Sequence, residues 1–157
     1  MRLISHRGNV DGKYPQYENL PEYVDKAIDL GYDCEVDLWV LSSAKWNNDD
    51  AFYLGHDEPT YPIDLKWLTD RYLNLWIHCK DLKTISKLRE LQLEMHVNLN
   101  YFFHNTDDCT ITSRGDLWVY PGKQPVKNSI AVMPEYHKDD ISEAHGVCSD
   151  YIKNYKK

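Results

Sequence analysis

Apolar and polar residues alternate from Tyr32 to Leu41, a stretch rich in β-branched and aromatic side chains, and this period predicts a strand. Ahead of it, Leu20, Tyr23, Val24, Ala27 and Ile28 recur at helical spacing. Asn19 is placed to cap that helix, Pro21 to sit in its first turn, Glu22 to serve as a capping-box acid and Gly31 to close it. Arg2 to Arg7 reads as a short strand ended by Gly8. A β-α-β start of this kind implies a parallel pair with both C-terminal tips on one side. Side chains alternate faces along a strand, so Glu35 and Asp37 share a face one pleat apart, and His6 meets them at the same edge.

Beyond Asp37 the strand runs through Leu41 into a polar loop, Ser42 to Asp50, with Asn47-Asn48-Asp49-Asp50 as turn chemistry. Ala51 to Asp57 is expected to return as the second arm of a hairpin, bringing His56 near the level of Asp37. Asp64 is placed to cap a short helix carrying Leu65, Leu68 and Tyr72. Leu75 to Lys80 reads as a strand with Trp76, His78 and Lys80 on one face, and Asp81 opens a helix with the stripe Leu82, Ile85, Leu88 and Leu91. In the second half, strands are expected at His96 to Phe103, Asp116 to Tyr120, Ser129 to Met133 and Gly146 to Tyr151, with a helix only at Lys138 to His145. The basic tail Lys153 to Lys157 is expected to fray.

Parallel strands with polar residues at their C-terminal tips point to an α/β fold of the β/α-barrel type, as one domain spanning residues 1–157. Such barrels usually need about 250 residues and rarely fewer than about 200. The expectation is therefore a shortened or irregular TIM-type barrel with several helices replaced by loops. Missing helices would leave apolar strand surface bare, which makes a homodimer through that face an expectation as well.

Composition narrows the partners. With 42% hydrophobic and 27% charged residues the chain is globular. A net charge of -7 argues against nucleic acid as the main partner. No apolar run has the length of a membrane span, and the first residues are too polar for a signal peptide. Cys34, Cys79, Cys109 and Cys148 lie far apart and fit no zinc spacing, so free thiols in a reducing cytoplasm are expected.

Two carboxylates held as close as Glu35 and Asp37 repel unless a cation or proton lies between them, and a hard divalent metal is the simplest occupant. His6 and His56 have the pKa range suited to proton transfer near neutral pH, and a hydrogen bond to a strand end is the lesser alternative for each. Among the other histidines (His96, His104, His137 and His145), His104 follows a strand tip and is the first candidate for a further base. Glu135 also ends a strand and is a candidate for the pocket mouth, whereas Trp39, Trp76, Trp118 and Tyr120 read as packing.

In chain order, His6-Arg7-Gly8, Glu18-Asn19, Glu35-Val36-Asp37 and Gly55-His56-Asp57 resemble the motifs of the glycerophosphodiester phosphodiesterases, within the phosphatidylinositol-phospholipase-C-like superfamily of β/α barrels. Gly146 to Tyr151 is similar to that family's last barrel strand. The resemblance implies a metal-dependent phosphodiesterase acting on a small anionic glycerol-containing phosphodiester. It implies His6 and His56 as the catalytic pair, Glu35 and Asp37 as metal ligands and Arg7 as a phosphate contact, with Glu18 and Lys80 at the substrate. It also implies that a neighbouring hydroxyl of the glycerol serves as nucleophile, giving a cyclic phosphate first.

Two departures stand out. Where the family carries a third acidic ligand in a Glu-x-Lys pattern, this chain has His78-Cys79-Lys80. A neutral imidazole can still ligate, so the expected ion is magnesium, calcium or manganese, with softer ions admitted by His78. The family's insertion after its His-Asp motif is reduced to about Glu58 to Asp64, which leaves the alcohol group open. The alternatives are a catalytically silent metal- or phosphate-binding barrel, a phosphodiesterase for a polysaccharide or lipid headgroup, and a non-catalytic structural subunit.

Overall fold

A computed structural model describes residues 1–41 and 50–156. Asn47-Asn48-Asp49, expected as turn chemistry, lie outside the described residues. The strands are β1 (Arg2–His6), β2 (Asp33–Leu41), β3 (Ala51–Leu54), β4 (Tyr61–Ile63), β5 (Leu75–Cys79), β6 (Tyr101–Phe102), β7 (Cys109–Ile111), β8 (Leu117–Val119), β9 (Ser129–Val132) and β10 (Gly146–Ser149). The helices are α1 (Pro21–Asp29), α2 (Leu65–Asp70) and α3 (Leu82–Met95). This is a mixed α/β architecture, and among the described residues all the strands join one sheet.

The strands β6-β5-β2-β1-β10-β9-β8 run parallel in that spatial order. The β2–β3 hairpin is antiparallel, with Leu38 opposite Leu54, as the sequence led one to expect. The sheet curls: Phe102 of β6 and Trp118 of β8 stand at opposite ends of the parallel run, yet their rings lie 4.7 Å apart. Among the described residues no ladder joins β6 to β8. The gap is bridged instead by the Ser113 N–H, which donates to the Tyr101 carbonyl at 2.8 Å.

Strand alternation divides the buried side chains between two faces. The concave face is filled by Ile4, Trp76, Phe102, Trp118, Ile130, Val132 and Cys148. On the convex face Cys34, Val36, Leu38, Ile77 and Cys79 pack with Val24, Leu68, Leu88 and Leu91 of the three helices. Among the described residues the convex backs of β1 and β10 carry no α-helix. They are covered by Tyr32, Ile152, Tyr155, Val10 and Ile141, so part of the apolar surface expected to lie bare is occupied by the chain itself.

Several local expectations are corrected. The residue flanking α1 is Leu20, without a side-chain cap, because Asn19 turns away in a left-handed conformation and spends its amide elsewhere. Leu82 is exposed, and Thr84 takes its place among the buried positions of α3. Asp64 and Asp81 do cap α2 and α3, accepting from the Trp67 and Thr84 N–H groups. Lys138 to His145 forms no helix, since Asp140 accepts from the Ser142 N–H and diverts the backbone into a turn. A 3-10 turn at Pro134–Tyr136 precedes it. His96 ends α3 in a left-handed conformation rather than opening a strand. The tail does not fray at its start: Ile152–Tyr155 is a 3-10 helix with Ile152 fully buried. β4 and β7 were not anticipated, being short and lacking a long alternating run.

Candidate functional site

The parallel register brings the C-terminal tips together. His6 stands opposite Glu35 across β1–β2, and Asp37 opposite His78 across β2–β5. All four belong to the inward-facing alternation that begins deeper with Ile4 and Trp76. Glu35 is 3% and Asp37 0% exposed.

Asp37 is enclosed by donors. The Asn19 amide donates to Oδ2 at 2.9 Å and accepts from the Asp37 backbone N–H at 2.9 Å. On Oδ1 sit His78 Nδ1 and Lys80 Nζ, each at 3.0 Å. Arg7 Nε lies 2.8 Å from Oδ2, but its N–H is not aimed for a hydrogen bond, so the contact is one of charge. Burial pushes the Asp37 carboxyl up. The His78 hydrogen bond and the Arg7 and Lys80 charges outweigh it and hold the group well below the usual carboxylate range.

Glu35 has the opposite surroundings. Its Oε2 is buried without a hydrogen-bond partner, with His6 Nε2 at 3.8 Å from Oε2 and His78 Nδ1 at 3.9 Å from Oε1. Burial and the neighbouring Asp37 charge push its carboxyl up to about 8, against the partial relief given by Arg7 and Lys80. An orphaned buried carboxylate oxygen is costly, and a cation would satisfy it. Ligand atoms of Glu35, Asp37 and His78 lie within 4.8 Å of one another, a group that can hold a metal ion. The oxygen and imidazole donors fit the divalent ion implied by the sequence.

His6 is oriented by a residue that sequence reasoning missed. Its Nδ1 lies 2.8 Å from Asp150 Oδ1. Asp150 is buried, and although burial raises its carboxyl, the His6 and Asn9 hydrogen bonds hold it low. An ionised Asp150 accepts from Nδ1–H, which leaves Nε2 facing Glu35 with a free lone pair. Burial lowers the His6 pKa against the pull of Asp150, so the imidazole is neutral at pH 7. The signal was present in the sequence: Cys148 and Asp150 alternate at the tip of a strand parallel to β1. Asn9 acts from a loop and had no such signal, whereas Asn19 stands in the Glu18-Asn19 motif but reads as a helix cap.

Arg7 is aimed by a turn. It adopts φ 54° and is followed by Gly8 at φ 91°, where a Cβ would come within 2.6 Å of the Tyr23 ring. This reversal directs the guanidinium over Asp37 and lets its Nη1 donate to Glu18 Oε2 at 3.0 Å. Burial disfavours the Arg7 charge, but Asp37 and Glu35 more than restore it. Arg7, Glu18, Asn19, Lys13 and His56 line a cavity of about 410 Å³ that neither Glu35 nor Asp37 lines itself, and that meets Asp37 through Arg7 and Asn19. His56 thus shares the cavity with Arg7 while remaining half exposed on its loop, Nδ1 2.6 Å from Asp57 Oδ1. Gly55 fixes that loop at the level of Asp37, its N–H donating to the Asp37 carbonyl at 3.1 Å.

The two pocket candidates separate. His104 lies with the site: its ring is 5.4 Å from that of His78 and stacks at 3.7 Å on Tyr120. Burial and the His78 charge lower its pKa to about 4. Glu135 is not brought to the pair. Its oxygens accept from Ser149 Oγ at 2.7 Å and from Tyr155 OH at 3.2 Å, on the convex side of β10. Among the described residues no helix is long and apolar enough to cross a membrane, and Cys34, Cys79, Cys109 and Cys148 are free thiols. Comparison with known proteins finds no matching family model, no matching curated protein and no matching solved structure.

Proposed function

We propose that this chain is a metal-dependent phosphodiesterase of the glycerophosphodiester type, built on a shortened, incompletely closed version of the β/α barrel. Its substrate is a small glycerol-containing phosphodiester, cleaved with proton transfer by His6 and His56. One observation carries the reading: Glu35, Asp37 and His78 lie within 4.8 Å of one another at the strand tips, with His6, Arg7 and Lys80 against them. Arg7 and Lys80 are the charges an anionic substrate would meet there.

A divalent ion held by Glu35, Asp37 and His78 would polarise the phosphoryl oxygens and offset the charge growing on them. Oxygen ligands suit magnesium, calcium or manganese, and the His78 nitrogen adds weight to manganese, cobalt and zinc. Arg7 and Lys80 stabilise the same developing charge without reorganising, because Asp37 already holds both in place. His6 Nε2, its other nitrogen committed to Asp150, is set up as the base that takes the proton from the attacking hydroxyl. His56, tied to Asp57 on the loop that faces the cavity, is set up to return a proton to the leaving alcohol. The free thiols support a reducing cytoplasm as its location in this reading.

The test is hydrolysis of bis(p-nitrophenyl) phosphate and of glycerophosphodiesters after chelation and add-back of each ion. His6→Ala and His56→Ala serve as controls. Loss of activity on chelation, and in both variants, is expected. Full activity in the chelated protein would remove the metal from the reading, and full activity in both variants would remove the two-histidine mechanism.

A second reading, a silent metal- or phosphate-binding protein, draws on one observation. Asp37 already carries Asn19, Arg7, His78 and Lys80 on its two oxygens, so an ion must displace a donor to reach it. Metal binding by calorimetry without turnover of any diester would favour that reading.

A further inference from the structure

A second cavity, of about 470 Å³, lies on the convex side between α1 and the 3-10 helix Ile152–Tyr155. Helical spacing explains its α1 wall, since Tyr23, Ala27 and Leu30 recur at i, i+4 and i+7 and share one face. Val24 and Ile28 turn instead to the sheet, where they pack with Cys34 and Val36. The floor is formed by Val10, Tyr32 and the backbone of the Gly8 turn. This cavity shares no lining residue with the one at Arg7 and His56.

Its rim is basic. A 3-10 helix repeats every three residues, so Lys153 and Lys156 fall on one side of that element, while Ile152 and Tyr155 pack with Leu3 and Val147 on the other. Lys26 adds a third ammonium from α1. Lys156 Nζ stands 5.2 Å from the centre of the Tyr32 ring, over the floor. Among the described residues the ion-paired lysines are Lys66, Lys80, Lys87 and Lys123, so these three are uncommitted. Asp11 is the one carboxylate on the same rim. In a chain of net charge -7 this is a local reversal of sign.

Volume and surroundings select the kind of occupant. A concave apolar floor of this size suits a small molecule. A protein partner needs about 800 Å² on each side, whereas Leu30, at 57%, is the one exposed large apolar side chain among the described residues that borders the cavity. We propose that the cavity binds a small amphipathic anion, an alkyl chain ending in a carboxylate. The chain lies on Tyr23, Ala27, Leu30 and Tyr32, and the carboxylate meets Lys26, Lys153 and Lys156. Apolar burial supplies the affinity, and the ammonium groups, screened by solvent, supply the preference for a charged head. The site is independent of the phosphodiesterase reading.

Amide chemical shifts, followed by NMR during titration with octanoate, hexanoate and 1-octanol, test this. Saturable shifts are expected at Gly8, Val10, Leu30 and Lys153. Octanoate is expected to bind about tenfold more tightly than hexanoate, because each buried methylene is worth about fourfold. It is expected to bind about fivefold more tightly than 1-octanol, near the upper end of what an exposed ion pair supplies. In the triple variant Lys26→Gln, Lys153→Gln, Lys156→Gln, octanoate should fall to the affinity of 1-octanol while 1-octanol itself is unchanged. All three side chains are exposed, so the melting temperature should hold. Leu30→Ser should weaken both ligands. Absence of saturable shifts with octanoate, shifts centred instead on His6, Asp37 and His78, equal affinity for octanoate and 1-octanol in wild type, or an unchanged preference in the triple variant overturns the assignment. Each of these results leaves the phosphodiesterase reading where it stands.

Discussion

Glu35→Gln should flatten the pH dependence of folding stability in the metal-free protein. The carboxyl is raised from its ordinary 4.5 to about 8, first by burial and then by Asp37. Between those pH values the folded chain holds a proton that the unfolded chain has released, so stability is fully present below about 4.5 and is lost as pH rises through about 8. At about 1.4 kcal/mol per pKa unit the full shift corresponds to roughly 5 kcal/mol. Relaxation and water penetration around the ionised group reduce that, and we expect a loss of about 2–3 kcal/mol between pH 5 and 8. Glutamine cannot ionise, so the variant should lack that slope and be the more stable protein at pH 8. Urea unfolding followed by tryptophan fluorescence, in chelator, measures both profiles, and their difference isolates Glu35 from the other titrating groups. Manganese at about a hundred times its dissociation constant should return about 2.7 kcal/mol to wild type and little to the variant. Parallel pH profiles for the two proteins would refute the account of Glu35 as a destabilised carboxylate waiting for a cation.

Three further perturbations separate the parts of the site. Asn19→Ala removes two hydrogen bonds from the buried Asp37 and should cost about 3 kcal/mol in urea unfolding, a loss under about 1 kcal/mol counting against its role as a clamp. Gly55→Ala places a Cβ 2.0 Å from the Glu58 carbonyl oxygen, against backbone that cannot yield, and should lower stability by more than about 2 kcal/mol while displacing the His56 loop. Asp150→Asn releases the His6 tautomer and should lower kcat at least 100-fold with a smaller change in KM, with a matching shift of the His6 imidazole resonances. An unaltered imidazole spectrum would show that Asp150 does not orient the ring.

The local elements were legible wherever one face of a strand or helix had to be buried. The alternation of β2, the stripe of α1 and the aspartates ahead of α2 and α3 each act within a few residues, so the sequence alone determined them. The same short-range reading put Glu35 and Asp37 on one face, and the β-α-β rule carried His6 to them. What the sequence could not hold was the consequence of curling. The strand-tip position of Asp150 was readable, but only the folded sheet puts β10 beside β1 and so Asp150 against His6, stacks Tyr120 on His104 and turns Asn19 from a helix cap into a clamp on Asp37. It also sends Glu135, a strand-end acid like Asp150 in the sequence, to the convex side. Period-two alternation fixes which face a side chain occupies within its strand, whereas partners from distant strands are chosen by curvature and by the burial of charge, which are properties of the whole sheet.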